Sequence, residues 1–388
     1  MSRALRYSLC AIATIALVAA TSGPAVATRT GGVTATTGRS STTAFDATGM
    51  WIWYVSQSNG GSISGIITRA HVHKVGTVFV KSGDGTNYWQ QFSQVVGPLK
   101  AGGLHVCGWQ YVYGRRPGDE ANVAARAIEA GADCFVIDAE AQYENNYAGA
   151  IKYMHKLRGK AGSHYPIGLA GFPYVDYHPG FPYSVFLGSG GAQFNVPQVY
   201  WKAIGYSVDT VMGHTYLWNR PYGRPIYPLG QLYQNPARSE IMRFRKYARA
   251  EGAHGVSWWD WQEATNTGWK AVGDPLSAFH HSVVKGYATL SQGGGFFDLV
   301  LWAQEHLRGA GQSAPVDGVF GSSTTRAVKR FQRSKGLNVS GRIDKSTWIA
   351  LLHYKPVKAS AARLSAASTG HNAPRAKRYE IPPPALRH

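Results

Sequence analysis

From Gly49 to Lys285 the sequence alternates short apolar runs with helical patterns, and this rhythm constrains the fold more than any other feature. The runs are Trp51–Val55, Thr77–Lys81, Leu104–Tyr111, Cys134–Asp138, Ile167–Phe172, Val196–Trp201, Ile226–Leu232 and Gly255–Trp261. Runs this short, rich in β-branched and aromatic residues, read as buried strands. The clearest helical patterns between them are Ala121–Ala130, Tyr147–Arg158 and Arg238–Glu251. Eight strand-then-helix units in about 240 residues predict an α/β fold of the (β/α)8 kind. The alternative is an open doubly wound sheet. It usually carries a Gly-rich phosphate loop or a dinucleotide fingerprint, and the sequence has neither.

A barrel of this type builds its site at the C-terminal ends of its strands. The polar and aromatic residues there are Lys81 and Asp84, Trp109, Asp138 and Glu140, Tyr174 and Asp176, Gln198, Tyr200 and Trp201, Gln231, and Trp258 and Asp260. Aromatic faces stack on pyranose rings while amides and acids bond hydroxyls, so this collection suits a sugar site. The sharpest signal is Phe135-Val136-Ile137 running into Asp138 and Glu140. Acids at i and i+2 of a strand share one face, about 6.5–7 Å apart along the chain. Each raises the proton affinity of the other. Glycosidic cleavage uses one protonated and one ionised carboxyl. Glu140, further out, is the expected general acid. Asp138 is expected to stabilise the developing positive charge, or to orient a 2-acetamido group acting as internal nucleophile. The competing roles for the pair are substrate binding without turnover, metal binding, and loop-holding ion pairs with Lys81 or Arg115.

Asp-x-Glu after an apolar strand resembles the lysozyme-type muramidases with a barrel fold, and the chitinase-like barrels. The resemblance is local and reaches Asp138 and Glu140 only. The muramidase pattern has an Asp at the end of the first strand, where this chain reads Trp51-Ile52-Trp53-Tyr54-Val55-Ser56-Gln57. The longer acidic run of chitinases is absent too. Asp84 and Asp260 are the candidates to stand in for the missing acid.

Residues 316 to 352 carry a second pattern: Val316-Asp317-Gly318-Val319-Phe320-Gly321, Thr324-Thr325-Arg326-Ala327-Val328-Lys329-Arg330-Phe331-Gln332, Gly336-Leu337, Ser340-Gly341 and Trp348. Turn formers precede a helix capped by Ser323 or Thr324, with Ala327, Val328 and Phe331 inward and Gly336 at its end. An earlier helix is expected from about Phe297 to Arg308. The ordered match of DG-x-x-G, T-x-x-A-V-x-x-F-Q and G-L resembles a small three-helix peptidoglycan-binding module over residues 296–353. That resemblance implies binding of wall glycan or stem peptide, without catalysis.

The remaining segments give an expected address. Arg3 and Arg6, the apolar run Leu9–Ala20 and Ala25-Val26-Ala27 read as a signal peptide over residues 1–27. The run is too short to span a bilayer, so no stable membrane insertion is expected after cleavage. Residues 28–48 read as a flexible lead-in, 49–285 as the barrel, 286–295 as a Gly-rich linker and 354–388 as a disordered basic tail. The formal charge is +19, and +17 once Arg3 and Arg6 leave with the signal. Cationic chains favour anionic partners. With export and no nucleic-acid motif, the expected partner is peptidoglycan or another wall polysaccharide. Cys107 and Cys134 form either a disulfide or two small buried residues on neighbouring strands. His71 and His73 share no helical face and, like His280-His281, read as surface residues. No metal site and no cofactor are called for. The expected protein is a secreted glycoside hydrolase tethered to the wall. The alternatives are a non-catalytic binding scaffold and an amidase or peptidase whose nucleophile or metal constellation does not appear.

Overall fold

In the computed structural model, which describes residues 43–278, 285–360, Leu364 and Ser368, one sheet closes into a ring. Its strands are β1 (Thr48–Ile52), β2 (Thr77–Asp84), β3 (Asn87–Tyr88), β4 (His105–Val112), β5 (Cys134–Ala139), β6 (Ile167–Ala170), β7 (Phe194–Asn195), β8 (Gln198–Val199), β9 (Leu229–Gln231) and β10 (Val256–Trp259). The pairing order is β7-β6-β5-β4-β2-β1-β10-β9-β8, all parallel except the stub β3 on β2. β7 and β8 are halves of one stave. Pro197 between them has no N–H to give to the ladder, so the pairing is interrupted there. β7 pairs with β6, while β8 pairs with β9, and Asn195 also bridges Ile226. The ring therefore has eight staves, each followed by a helix, which excludes the open sheet.

Alternation along each strand separates two cores. Trp51, Phe79, Cys107, Trp109, Cys134, Val136 and Trp259 point into the lumen. Ile52, Val78, Val80, Phe135, Ile137 and Trp258 point out to the helices. Cys107 and Cys134 are register partners on β4 and β5 and form a disulfide inside the lumen. Residues 43–46, read as the end of a loose lead-in, belong to the barrel. Phe45 is buried against Phe79, Phe194 and Tyr227, and Asp46 accepts from the Tyr227 hydroxyl at 2.6 Å. An aromatic plug at the lumen end gives that segment apolar burial its Thr- and Ser-rich surroundings conceal.

One irregularity matters for the site. The β2–β4 register shifts between Lys81 and Gly83, leaving Ser82 as an extra residue. A bulge flips the side-chain alternation beyond it. Lys81 and Asp84, three apart, thereby share the lumen face. Gly83 is required beside the bulge, because a Cβ there would lie 2.5 Å from Val123 Cγ1.

The C-terminal helices are Phe297–Gly309, Ser322–Ser334 and Lys345–Leu351. Two buried glutamines explain the motif of this region. Gln304 donates to Asp317, Val319 and Thr324 and accepts from the Gly318 N–H at 2.9 Å. Gln332 repeats this clasp, donating to Arg342 O and accepting from the Gly341 N–H at 2.9 Å. Gly318 and Gly341 have φ of 72° and 76°, a conformation glycine adopts without strain. The middle helix starts two or three residues earlier than expected, with Gly321 rather than Ser323 or Thr324 at the N-cap. The Thr324 hydroxyl instead bonds Val319 O and receives the Gln304 amide.

The first of these helices is buried all round from Phe297 to Leu307, so it packs on the barrel as well as on its own partners. Asp298 is fully buried there. It accepts from the Tyr147 hydroxyl (2.7 Å), the Ser184 N–H (2.9 Å) and hydroxyl (2.6 Å), and the Tyr222 hydroxyl (2.8 Å). Residues 286–295, read as a linker, are held as well. Ala288 bonds Leu217 O and the Trp348 indole, and Leu290 bridges Ile343. Beyond the helices, Val357 and Ala359 bond Glu305, Lys358 bonds Ser189 O, and Ser368 bonds Asn145 O. This part of the expected tail lacks apolar period but is fixed by backbone and side-chain hydrogen bonds. The signal segment, residues 28–42, His280-His281 and the rest of the tail lie outside the described residues. Among the described residues, no helix is long and apolar enough to cross a membrane.

Candidate active site

The cavity at the C-terminal end of the barrel is lined by Trp51, Trp53, Lys81, Asp84, Trp109, Tyr111, Tyr113, Asp138, Glu140, Gln142, Gln198, Tyr200, Leu229 and Trp259. Strand parity supplies most of them. Trp51 and Trp53 come from the first stave, Trp109, Tyr111 and Tyr113 from β4 and its exit, Asp138 and Glu140 from β5, and Gln198 and Tyr200 from β8. The floor is aromatic: the rings of Trp51, Trp109 and Trp259 meet at 5.2–5.6 Å between centroids.

The two acids are joined by one amide. Gln198 Nε2 donates to Asp138 Oδ1 and to Glu140 Oε1, each at 3.0 Å. Two oxygens that are each 3.0 Å from the same nitrogen lie within 6.0 Å of one another. Burial pushes the Asp138 carboxyl well above the usual range, and the neighbouring Glu140 pushes it further. Lys81 and the Gln198 amide pull the other way. Burial also raises Glu140, against the Gln198 bond. Such a pair titrates as a unit, holding one proton over a pH range where isolated carboxyls hold none.

Across the cavity Lys81 is only 2% exposed and bonds Asp84 Oδ2 at 2.7 Å. Its ammonium lies 4.4, 4.6 and 4.9 Å from the ring centres of Trp53, Trp89 and Trp109. Desolvation lowers its proton affinity, opposed only in part by the Asp84 carboxylate, and the ring faces add cation–π attraction. The Tyr113 hydroxyl donates to the other Asp84 oxygen at 2.9 Å, and burial pushes that phenol up to about 12. Lys81 thus pairs with Asp84 rather than Asp138. Asp84 is the third carboxylate of the cavity, while the end of the first strand is occupied by Trp53. The Trp53 Nε1 is buried and has no hydrogen-bond partner among the described residues.

Of the residues expected at the site, Lys81, Asp84, Trp109, Asp138, Glu140, Gln198 and Tyr200 line the cavity. Six others do not, each for a local reason. Trp201 and Trp258 sit on the outward face and pack on Phe244. Trp259, the in-facing neighbour of Trp258, takes the place expected for it. Gln231 accepts from the Lys202 N–H at 2.8 Å and donates to Tyr233 O, tying two loops. Asp176 bonds His214 Nε2 at 2.6 Å, and Tyr174 packs on that imidazole. Asp260 follows the cis Trp259–Asp260 peptide and accepts from the Glu263 N–H at 3.1 Å. With its amide turned to satisfy its neighbours, Gln262 donates to the other Asp260 oxygen at 3.1 Å. Burial raises the Asp260 carboxyl to about 7. The sequence reading named Tyr111 and Trp259 only within their strand ends and left out Trp51, Trp53, Tyr113, Gln142 and Leu229. Counting by twos from Trp109 and Asp138 reaches Tyr111, Tyr113 and Glu140, so part of that signal was present. His71 bonds Gly102 O at 2.8 Å, and His73 lies against the Trp269 ring.

Comparison with known proteins places part of this picture. Residues 298–351 match the family model PG_binding_1, a peptidoglycan binding domain. No curated protein matches the chain. Among solved structures, the chain is similar to a family 39 glycoside hydrolase from Bacteroides cellulosilyticus WH2, with a TM-score of 0.45 and 11% identity over 64% of this chain and 67% of that one. It is also similar to the catalytic domain of a mannanase from Streptomyces sp. SirexAA-E, with a TM-score of 0.43 and 14% identity over 59% and 84%. A third is the modular autolysin LytC from Streptococcus pneumoniae, with a TM-score of 0.30 and 14% identity over 39% and 37%. The barrel assignment rests on the ring of strand pairs rather than on these likenesses. The chain is thus a (β/α)8 barrel continued by a domain of the peptidoglycan-binding family.

Proposed function

We infer that this protein is a secreted hydrolase of wall glycan, cutting glycosidic bonds in the barrel and held on polymer by the C-terminal domain. The observation that carries the reading is the Gln198 amide, 3.0 Å from an oxygen of each acid, inside an aromatic cavity. Inverting enzymes keep their carboxyls about 6.5–9.5 Å apart to admit a water, whereas retaining ones use about 5–5.5 Å. Oxygens within 6.0 Å of each other favour the retaining or substrate-assisted route. In the first step Glu140 gives its proton to the glycosidic oxygen as the C1–O bond breaks, and the leaving sugar departs as an alcohol. Asp138 as carboxylate, or a 2-acetamido oxygen that Asp138 orients, bonds C1. In the second step Glu140 takes a proton from water as the water oxygen displaces that nucleophile, which restores both acids. The indoles are the stacking surfaces.

A scaffold reading is favoured by one observation: the first stave ends in Trp53, with no acid, and Asp84 is committed to Lys81 and Tyr113. Turbidity loss of purified cell wall separates the two. Wild type clears the suspension and Glu140→Gln does not, if the barrel cuts. Wall sedimentation with no release of reducing ends across a glycan panel establishes the scaffold instead.

A further inference from the structure

A groove outside the cavity joins the helices Pro117–Glu129 and Tyr147–Ala161. It is lined by Arg115, Arg116, Asp119, Lys152, His155 and Lys156, among others. Its one acid, Asp119, is held by Arg116 at 2.7 Å. Arg115, Lys152 and Lys156 are exposed and have no carboxylate partner among the described residues. Lys152 and Lys156 stand at i and i+4, one face of one helix, where like charges weaken the helix, and His155 shares that face. Folding does not call for such a stripe, and a ligand of opposite charge does. The groove also has a direction. Helix N-termini of a (β/α)8 barrel lie at the end where the strands' C-termini open. Arg115 follows two residues after Tyr113, which lines the cavity, and its charge acts on that phenol.

We propose that this groove is a binding site for an anionic glycan, whose charged groups seat on Arg115, Lys152 and Lys156 as the chain runs toward the cavity. The direction of the polymer rests on reading the cavity as a glycan site; the binding itself does not. The shared chemistry is a row of anionic groups on a saccharide or polyol chain, carried either as phosphodiesters or as carboxylates. Arginine and lysine both hold such groups, and the pairing weakens with salt.

The test uses the full chain and reads binding alone, so an inactive barrel and an empty groove give different results. The probes are poly(glycerol phosphate), polyglucuronate and neutral chito-oligosaccharide, titrated at low and physiological salt. The variants are the triple Arg115→Gln/Lys152→Gln/Lys156→Gln and a control of equal charge loss, Lys74→Gln/Arg249→Gln/Lys270→Gln. The groove triple is expected to weaken binding of one anionic polymer by about tenfold and to flatten its salt dependence. The control triple and the neutral oligosaccharide stay within about twofold. Preference for poly(glycerol phosphate) identifies phosphodiesters as the source, and preference for polyglucuronate identifies carboxylates. Equal losses in both triples, no binding of either anionic polymer, or duplex DNA bound as tightly and lost in parallel would each overturn the proposal.

Discussion

Gln198 concentrates the chemistry at the residue scale. Its amide gives one hydrogen to each acid, which favours their ionised forms against burial and mutual repulsion. Gln198→Leu removes both bonds. The expected result is a loss of roughly 10- to 100-fold in kcat/KM, with the acidic limb of the pH profile displaced upward. An unshifted limb contradicts the bridging role even if activity falls. The sequence placed Gln198 at the site as a substrate ligand. Its position followed from the strand count, but its partners did not, because β8 and β5 are sixty residues apart and only ring closure brings them together. The bulge on β2 shows the same limit. Nothing in Lys81-Ser82-Gly83-Asp84 read alone says that alternation breaks there, yet that break puts Asp84 beside Lys81.

At the scale of elements, apolar runs were enough to find all eight staves. Each is too short for a helix, and each buries its outward residues against the following helix. What the runs could not give was which face turned inward at the eighth stave, since Trp258, Trp259 and Trp261 are equally apolar. The disulfide was equally undecided in the sequence. Register pairs Cys107 with Cys134 on adjacent staves and settles it. It closes a loop of 27 residues, and removing it with Cys107→Ser/Cys134→Ser is expected to lower unfolding free energy by about 3 kcal/mol. Equilibrium denaturation measures this. At the junction of barrel and C-terminal domain, Asp298→Ala leaves the Tyr147, Ser184 and Tyr222 donors buried without their acceptor. The expected cost is about 2–4 kcal/mol, seen as an earlier single transition. An unchanged denaturation curve contradicts the hub assigned to Asp298.

For the whole molecule, buried carboxyls set the pH dependence of stability. Burial raises Asp260 and Glu305 to about 7 and Asp298 to about 6, from ordinary values of 3.8, 4.5 and 3.8 respectively. Their contributions are complete below those ordinary values and are lost as pH rises through 6 to 7. Burial lowers His306 to about 4, so its contribution is present above 6.5 and is lost as pH falls through about 4. Three groups oppose one, and the thermal midpoint is expected to be higher at pH 5 than at pH 8. A rise toward pH 8 contradicts the burial assigned to these acids. Residues 298–351 match the peptidoglycan binding domain model, and the contacts of Asp298 and Trp302 join that stretch to the barrel. Asp138 and Glu140 are proposed to cut glycosidic bonds from the same cavity. Proton NMR of the anomeric centre released from purified wall glycan tests it most directly. Wild type is expected to release a product with retained configuration, and Glu140→Gln to slow this by about 10²–10⁴-fold. An inverted product, or equal release by the two proteins, contradicts it.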